Sequence, residues 1–415
     1  MGRLLFFCFQ CNFYCFKTTP YAIVCGMVFE AKLVHNGTVT TPRGFTAGAV
    51  SSGIKEGGLP DLGILYSEVS CAAAGVFTTN KIKAASVVLS QKNLGNGVAQ
   101  AVVVNAGCAN ACTDEQGDRD AAEMATLAAN KLGIMPESVV VASTGVIGVT
   151  LPMDLVRRGI AEVGLSRSGG SDMAQGIMTT DSRTKEVAVD FGGIKIGGIA
   201  KGAGMIHPNM ATMLSFITTD AEVGPEFLSN ALKKAVDASF NMISVDGDTS
   251  TNDMVVVLAN GLAGKPKPDD FEAAIQAVCT YLARCIASDG EGCTRLIEVK
   301  IEKAKTSEEA RMAARTVASS TLVKTAMHSG QPNWGRIIAA IGRSGAQIVE
   351  SKVDLYLDEV CVLKGGGCQS FKEANVICND EVVIRVCLNL GKGEATAWGC
   401  DLSEEYVTIN SEYVT

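Results

Sequence analysis

Short apolar runs separated by glycine-rich turns alternate along this chain with longer amphipathic stretches. Ala101 to Asn105 is a continuous apolar run, typical of a buried strand. Asp118 to Leu132 carries its apolar residues at helical spacing and ends before Gly133, a favourable helix C-cap. Val187 to Asp190 and Ile194 to Ile199 flank a Gly-Gly pair and predict a hairpin. The alternation predicts a mixed α/β fold.

Other segments are shorter, and their predictions depend more on β propensity. Leu62 to Tyr66, Ala72 to Phe77 and Val87 to Leu89 are rich in apolar and β-branched residues and predict three short strands. The tail from Glu405 to Thr415 alternates in a strand-like way, so we expect a strand there that is tied to the rest of the fold.

The length and the pattern together predict two folded domains after an atypical start. A chain of 415 residues exceeds the size at which one hydrophobic core is usual. Within residues 1–26, the apolar run from Leu4 to Phe16 is too short for a membrane span, and we interpret this region as an extension with Met27 as the functional start. Residues 27–295 form the predicted main α/β domain, and residues 296–415 form a smaller α+β domain.

Composition narrows the function classes. The formal net charge is −8, and no basic cluster is present, which argues against nucleic acid or an anionic membrane as partner. The 15 cysteines fall mainly in apolar segments, as expected for reduced thiols of a cytoplasmic protein. Three histidines leave little room for a metal site or a histidine-based triad, and we expect no metal.

The stretch from Lys201 to Leu214 carries the candidate chemistry. Gly202, Gly204 and Pro208 shape a loop that leads into the predicted strand, and Thr212 lies just before that strand. A threonine hydroxyl needs an adjacent base, and cutting the chain before Thr212 would free an α-amine with a pKa of about 8 that serves as one. Such a loop is also typical of a plain turn, so the local pattern leaves both interpretations open.

A second candidate feature follows the buried strand Val139 to Ala142. Thr144 and Gly145 come directly after it, and a Thr-Gly pair at a strand end can turn a hydroxyl and a backbone N–H toward a developing oxyanion. The polar segment from Ser244 to Asp253 lacks calcium-loop spacing, and Asx and Ser/Thr turns account for its composition.

Several separate stretches are shared, in order and spacing, with one enzyme family, and the match runs from about residue 40 to the last residue. They are Phe77-Thr-Thr-Asn80, Asn105-Ala-Gly107, Ser143 to Gly148, Thr179-Thr-Asp181, Lys201 to Leu214, Val245 to Asp253, Asp289-Gly-Glu-Gly292 and the C-terminal tail. The sequence thereby resembles the self-cleaving ornithine/glutamate N-acetyltransferases of arginine biosynthesis. Two departures are Asp114, where the family pattern has Gly, and Ser86, where it has Pro.

The resemblance implies a fold, a reaction and a set of site residues. The fold is a layered αββα sandwich, N-terminal-nucleophile-like, with a smaller C-terminal domain. The precursor is cut between Ala211 and Thr212, and the α and β chains assemble as α2β2. Thr212 accepts acetyl from N2-acetylornithine and passes it to glutamate. The oxyanion hole corresponds to Thr144 and Gly145, and the substrate contacts correspond to Thr179, Lys201, Thr212, Glu291, Asn410 and Thr415.

The resemblance implies no cofactor, but it leaves open whether acetyl-CoA serves as a second acetyl donor. Two other functions remain as alternatives. In an N-terminal-nucleophile aminopeptidase or amidase, water replaces glutamate as the acceptor. In a non-catalytic amino-acid-binding protein, the chain stays uncut and Thr212 is structural.

Overall fold

The structure is a computed structural model that describes residues 22–24, 27–29, 31–207, 213–371 and 379–412. Three of the predicted site residues, Ala211, Thr212 and Thr415, lie outside the described residues. The described strands form a two-stranded pair, a nine-stranded sheet and a seven-stranded sheet.

Helices and strands alternate along most of the described chain. The first part of the chain contains β1 (Ala22–Val24), β2 (Met27–Phe29), β3 (Lys32–Leu33), β4 (Phe45–Val50), β5 (Leu62–Phe77), α1 (Ala85–Asn93), β6 (Val98–Cys108), α2 (Asp114–Leu132), β7 (Val139–Val146), α3 (Met153–Glu162), α4 (Gly170–Gly176), β8 (Lys185–Phe191), β9 (Ile194–Lys201) and β10 (Leu214–Ala221). The second part contains α5 (Pro225–Asp237), β11 (Ile243–Ser244), β12 (Met254–Gly264), α6 (Pro268–Ala287), β13 (Leu296–Ala304), α7 (Ser307–Ala318), α8 (Thr321–Ser329), α9 (Trp334–Gly342), β14 (Asp354–Leu357), β15 (Val360–Lys364), β16 (Gly367–Cys368), β17 (Glu381–Cys387), β18 (Gly393–Cys400) and α10 (Glu404–Glu412).

Strand β10 lies in the middle of the nine-stranded sheet, whose order is β3-β8-β9-β10-β12-β5-β6-β7 with β4 beside β5. It runs antiparallel to β9, where Leu214 pairs with Lys201, and parallel to β12, where Leu214 pairs with Met254. Met254 in turn pairs with Phe77 of β5. The register therefore brings the end of β9, the start of β10, the start of β12 and the end of β5 together at one end of the strands.

The sheet folds over on itself, and helices cover both outer faces. Val104 of β6 and Phe216 of β10 lie in one buried cluster between its two halves. Val103 and Met124 share a second cluster in which helices α2 and α3 cover β6 and β7. Ile217 lies in a third cluster, where α5 and α6 cover the opposite half. Because successive strand residues point to opposite faces, these clusters are separate layers. The predicted αββα layering is confirmed.

The seven-stranded sheet has the order β11-β18-β13-β17-β14-β15-β16. Its long central strand β13 begins at Leu296, and α7 packs on it. The cluster that covers α5 and α6 continues into this sheet and includes Val299 and Ile384. Strand β11, at residues 243–244, joins the sheet from the preceding part of the chain. The predicted division after residue 295 remains a prediction.

Three local predictions were wrong. Leu62 to Phe77 is one continuous strand of 16 residues rather than two strands. Val87 to Leu89 lies in helix α1, where Val87 is buried against the inner cluster and Val88 is exposed. The tail from Glu405 is helical up to Glu412. Its helix begins after Ser403, whose Oγ accepts the Tyr406 N–H at 3.3 Å, and this N-cap outweighs the β propensity of the tail.

Membrane-spanning helices and metal-binding clusters are absent from the described part of the chain. No helix there is long and apolar enough to cross a membrane. Within the same residues, no group of three His, Cys, Asp or Glu side chains is arranged to hold a metal ion. The cysteines at ten described positions are free thiols, and most of them are buried.

Candidate active site

A cavity of about 230 Å³ opens at the end of the sheet where β9 ends and where β10 and β12 begin. Six predicted site residues line it: Thr144, Gly145, Thr179, Lys201, Glu291 and Asn410. They come from the end of β7, the loop before β8, the end of β9, the loop after α6 and helix α10. The fold thus gathers residues that are up to 266 positions apart in sequence, from 144 to 410, around one small polar space.

The Thr-Gly pair lies at the closely packed end of β6 and β7. Gly145 has a φ of +130°, a conformation that residues with a side chain rarely adopt. A Cβ on Gly145 would lie 2.3 Å from the carbonyl carbon of Gly107, so only glycine fits at this position. Lys201 Nζ donates a hydrogen bond of 3.2 Å to Thr144 Oγ1. The hydroxyl is therefore held inside the cavity by a buried cation.

Lys201 is 2% exposed, and its ammonium is surrounded by other charges. Burial lowers the pKa of Lys201, and Lys185 adds to the lowering, whereas Asp181, Asp253 and Glu291 oppose it. A buried cation is costly unless anions surround it. The cavity is accordingly suited to a ligand that brings a carboxylate to Lys201.

A buried charge network behind Lys201 was not anticipated from the sequence. Lys185 Nζ lies 2.6 Å from Asp181 Oδ1 and 2.6 Å from Asp289 Oδ2, and the Lys185 and Asp181 side chains are fully buried. Asp181 also accepts the N–H of Thr179 at 3.0 Å and that of Gly202 at 2.6 Å. The network therefore fixes the loop of Thr179 and the residue after Lys201.

The charges of this network decide the ionisation of Asp181. Burial alone would raise the pKa of Asp181, but Lys185 and Lys201 outweigh it and lower the pKa to about 2. A signal for the network was available in the sequence. Lys185 is on the same face of its strand as Val187 and Val189, so the strand period of two indicates that it is buried.

Glu291 lines the same cavity as the Thr-Gly pair and lies against the glycine loop that follows β9. Its N–H donates to Ala203 O at 3.0 Å, and Asn410 Nδ2 donates to Glu291 Oε2 at 2.8 Å. A Cβ built on Gly204 would lie 2.4 Å from both carboxylate oxygens. Gly204 thus provides the space that the carboxylate occupies.

The polar segment from Val245 to Asp253 forms the turns expected from its composition, and it also connects the walls of the cavity. Asn252 Nδ2 donates to Ala109 O at 2.7 Å and to Ser143 O at 2.8 Å. Asp246 accepts the N–H groups of Met205 and Ile206 at 2.6 and 2.9 Å. These side chains hold the β7 end and the glycine loop in place.

Asp253 closes this segment directly beside the start of β10. Its Oδ1 accepts the Met213 N–H at 2.9 Å, and Met213 is the residue after Thr212. The side chain is almost fully buried, and burial raises the pKa of Asp253 well above its usual value. The sequence pattern had indicated only a turn for this residue.

A buried ammonium on a strand-end hydroxyl, with a carboxylate in the same cavity, suits a small substrate that carries both an anionic and a cationic group. The arrangement defines an acyl-transfer enzyme with a layered α/β fold. The chain matches the model of the ArgJ family over residues 46–415. The chain belongs to the ArgJ family.

Two relatives of more than 50% identity agree with this assignment. The arginine biosynthesis bifunctional protein ArgJ of Dehalococcoides mccartyi is 52% identical over 399 residues, which cover 92% of this chain and 98% of the relative. The protein of the same name from Symbiobacterium thermophilum is 54% identical over 397 residues, covering 91% and 99%. The crystal structure of the protein of that name from Bacillus halodurans is 45% identical, covers 49% of this chain and 100% of that chain, and has a TM-score of 0.47.

Family membership confirms the resemblance described from the sequence. It also confirms the predicted function at the level of the reaction: the chain is an acyltransferase of arginine biosynthesis, a glutamate N-acetyltransferase. The roles of individual site residues remain predictions.

Proposed function

We propose that the chain cuts itself between Ala211 and Thr212 and then carries acetyl from N2-acetylornithine to glutamate as an ester on Thr212. The observation that carries this proposal is the convergence of Thr144, Lys201 and Glu291 on one cavity at the entrance of β10. Lys201 pairs with Leu214, so the cavity lies at the start of β10, and Thr212 comes two residues before Leu214 in the sequence.

Self-cleavage begins with attack of the Thr212 hydroxyl oxygen on the carbonyl carbon of Ala211. The C–N bond then breaks, the nitrogen takes the hydroxyl proton, and an ester joins Ala211 to Thr212. Water hydrolyses this ester, which leaves a carboxylate on Ala211 and a free hydroxyl and α-amine on Thr212. The Thr144 hydroxyl and Gly145 stabilise the oxyanion of each tetrahedral intermediate.

Acetyl transfer uses the same groups in two half-reactions. The α-amine of Thr212 takes the proton of Oγ as that oxygen attacks the acetyl carbonyl of N2-acetylornithine, and ornithine leaves with the proton on its nitrogen. The α-amine of glutamate then attacks the acetyl ester, a proton returns to Thr212 Oγ, and N-acetylglutamate leaves. Both half-reactions pass through an oxyanion at the position of Thr144 and Gly145.

The charges of the cavity match these substrates. Lys201 pairs with the α-carboxylate that ornithine and glutamate share, and Glu291 pairs with an ammonium group. Thr179 and Asn410 supply further hydrogen bonds, and we include Thr415 with them by family resemblance. Asn410 donates a hydrogen bond to Glu291, and this contact supports a Glu291 carboxylate that is held in position before the substrate enters.

The proposal extends to donor, assembly and compartment. Acetyl-CoA is a second acetyl donor, which the word bifunctional in the names of the relatives supports. The α chain of residues 1–211 and the β chain of residues 212–415 assemble as α2β2 in the cytoplasm. No metal and no cofactor take part in the proposed reaction, and acetyl-CoA enters it only as a co-substrate.

The test is the intact mass of the purified protein beside Thr212→Ala. The wild type gives two fragments that meet at Ala211 and Thr212, and the variant gives one uncut chain. On incubation with N-acetylornithine alone, the β chain of the wild type gains the mass of one acetyl group, and glutamate removes it. Thr126→Ala, an exposed threonine on α2, is the matched control and behaves as the wild type.

Two outcomes contradict the proposal. A wild-type chain that stays uncut but still binds ornithine or acetylglutamate points to a binding protein. Continuous release of ornithine from N-acetylornithine without glutamate points to an aminopeptidase or amidase, because water is then the acceptor.

A further inference from the structure

Two cysteines lie beside the turn that carries Glu291. The Cys293 N–H donates to Gly290 O at 2.8 Å and closes a turn whose second residue is Glu291. The Cys293 thiol donates a hydrogen bond to Cys400 Sγ, and a Cβ built on Gly290 would lie 2.7 Å from the same sulfur. Cys400 therefore contacts both ends of the turn.

A buried cation holds Cys400. Lys324 is 3% exposed and Cys400 is 1% exposed. Within the described part of the chain, the hydrogen bonds of Lys324 Nζ go to the carbonyl oxygen of Cys400 and, at 3.4 Å, to its Sγ. A buried ammonium is costly without an adjacent anion, and the thiolate of Cys400 supplies one. The hydrogen bond from Cys293 and the charge of Lys324 outweigh burial and lower the pKa of Cys400 to about 7, so this sulfur carries thiolate character near neutral pH.

Cys293 is the more accessible thiol of the pair. It is partly exposed, whereas Cys400 is buried. The hydrogen bond to Cys400 and burial raise the pKa of Cys293, so Cys293 is the proton donor of the pair. Passage of this proton to Cys400 leaves the thiolate on the more exposed residue. A thiolate beside a second thiol and a cation is the arrangement of redox-sensing cysteines.

We propose that Cys293 and Cys400 are an oxidation site, which a peroxide converts into a disulfide at the base of the Glu291 turn. Formation of this disulfide is independent of the proposed function. Its effect on acetyl transfer rests on that function, because the disulfide acts through the role proposed for Glu291.

The reaction balances with one peroxide molecule for each pair of cysteines. The proton of Cys293 passes to Cys400, and the Cys293 thiolate attacks one oxygen of hydrogen peroxide, whose O–O bond breaks to release hydroxide. That hydroxide becomes water by taking the proton from Cys400. The Cys400 thiolate then attacks the sulfur of the Cys293 sulfenic acid, the S–S bond forms, and a second hydroxide leaves. The two sulfurs are oxidised to a disulfide, and the peroxide oxygens are reduced to water and hydroxide.

Closure of the disulfide would move the turn. The two sulfurs of a disulfide lie about 2 Å apart, closer than two hydrogen-bonded thiols. Cys400 is fixed in β18, which pairs with β13, so Cys293 in the loop is the residue that moves. Glu291 shares the turn with Cys293, and the 2.8 Å hydrogen bond that it accepts from Asn410 would lengthen. We expect KM for N-acetylornithine to rise about tenfold, the effect of losing one hydrogen bond to a charged group.

Disulfide mapping of the purified enzyme tests the site. The wild type is treated with hydrogen peroxide, its remaining thiols are alkylated, and its digest is analysed by mass spectrometry without reductant. A peptide pair linked through Cys293 and Cys400 is expected. Dithiothreitol should then release the link and restore KM, because a thiol reductant reverses a disulfide but not sulfinic acid or methionine sulfoxide.

Cys293→Ser and Cys361→Ser are matched variants. Both cysteines are partly exposed, and each thiol donates to the carbonyl oxygen two residues ahead, to Arg295 O at 3.5 Å and to Leu363 O at 3.4 Å. After peroxide treatment, Cys293→Ser should contain no link to Cys400 and should keep its KM. Cys361→Ser should form the link and show the same rise in KM as the wild type.

Separate readouts distinguish failure of this inference from failure of the proposed function. An uncut or inactive wild type overturns the proposed function, and the mapping still decides the oxidation site because it needs no activity. A peroxide-treated wild type without the link between Cys293 and Cys400 overturns the site. In an active enzyme, a link with an unchanged KM overturns the effect on the Glu291 turn. If Cys293→Ser does not fold, reversal by dithiothreitol in the wild type decides between the disulfide and other oxidative damage.

Discussion

Gly204 offers a direct test of how the cavity holds its carboxylate. Replacement by Ala adds one methyl group at a backbone position that lies outside the left-handed region, so the backbone accepts the change. The new Cβ would lie 2.4 Å from both oxygens of Glu291, whereas ordinary contacts begin near 3.4 Å. The carboxylate must therefore withdraw by about 1 Å.

This displacement has a predictable cost. The hydrogen bond from Asn410 to Glu291 is 2.8 Å long, and a shift of about 1 Å takes it beyond hydrogen-bonding range. The ammonium group of the substrate would lose a charge-assisted hydrogen bond of about 1.5–3 kcal/mol. We expect kcat/KM for acetyl transfer to fall about 10- to 100-fold, with most of the change in KM because Glu291 acts in binding.

Steady-state kinetics with N-acetylornithine and glutamate would measure the effect, after intact mass and thermal unfolding show a cleaved and folded variant. Gly224→Ala is the control, since a Cβ at Gly224 meets no atom within 4 Å and its φ is −76°. A KM of Gly204→Ala within twofold of the wild-type value would refute the argument, because the added methyl group would then leave the carboxylate functional.

Two further predictions concern the buried charges. Lys201→Met removes the proposed partner of the substrate carboxylate and the donor to Thr144, so kcat/KM should fall at least about 100-fold. Steady-state kinetics on the folded variant would measure this fall. An unchanged KM for glutamate would contradict the prediction. The pKa of Asp181 is lowered to about 2 in the folded chain and is about 3.9 in the unfolded chain. The Asp181 charge therefore stabilises the fold by about 2 kcal/mol above pH 4, and this contribution is lost as the pH falls from 4 to 2. Urea unfolding should therefore show the stability gap between the wild type and Asp181→Asn narrowing over that pH range, and a constant gap would exclude the mechanism.

The hydrophobic periodicity of the sequence correctly predicted the helices and strands that bury one face and that have clear start or stop residues. The helix predicted over 118–132 is α2, and Gly133 caps it with a φ of +69° as its position suggested. The predicted hairpin around residues 187–199 is β8 and β9. In these segments local preference and tertiary packing agree, so the sequence pattern sufficed.

The errors arose where tertiary contacts decide between two local preferences. Helix α1 contains β-branched residues, yet Ser90 Oγ donates to Val141 O and accepts the Val141 N–H, which fixes the helix against β7. These contacts join residues 51 positions apart, and no local pattern reveals them. The C-terminal helix had a visible signal in Ser403 followed by two glutamates, a favourable N-terminus that β propensity obscured.

The two departures from the family pattern have structural explanations. Asp114 has a φ of +48°, in the left-handed region where Gly is favoured and where Asp is among the better tolerated residues. Ser86 is the second residue of α1, in the first turn, where a proline needs no N–H partner. In both cases the backbone conformation suits the glycine or proline that the resemblance implies, and it also accepts the residue of this chain.

The site was predictable only in part. The motifs named its lining residues, and the fold brings six of them to one cavity. The charge network of Lys185 and the position of Asp253 depend on strand register, which places residues from distant segments side by side. Register is set by the whole sheet, so a sequence motif alone does not specify these contacts.

The place of β10 within its sheet has a consequence for the order of events in maturation. β10 and β12 follow residue 212, and they lie between β9 and β5, which precede it. The chain must therefore build this sheet before the proposed cut, while all its strands are tethered. Afterwards the α and β chains are interleaved, and neither can leave without breaking the middle of the sheet. A denatured mature enzyme would have to reassemble from two molecules, at a rate that depends on concentration, whereas the precursor folds as one.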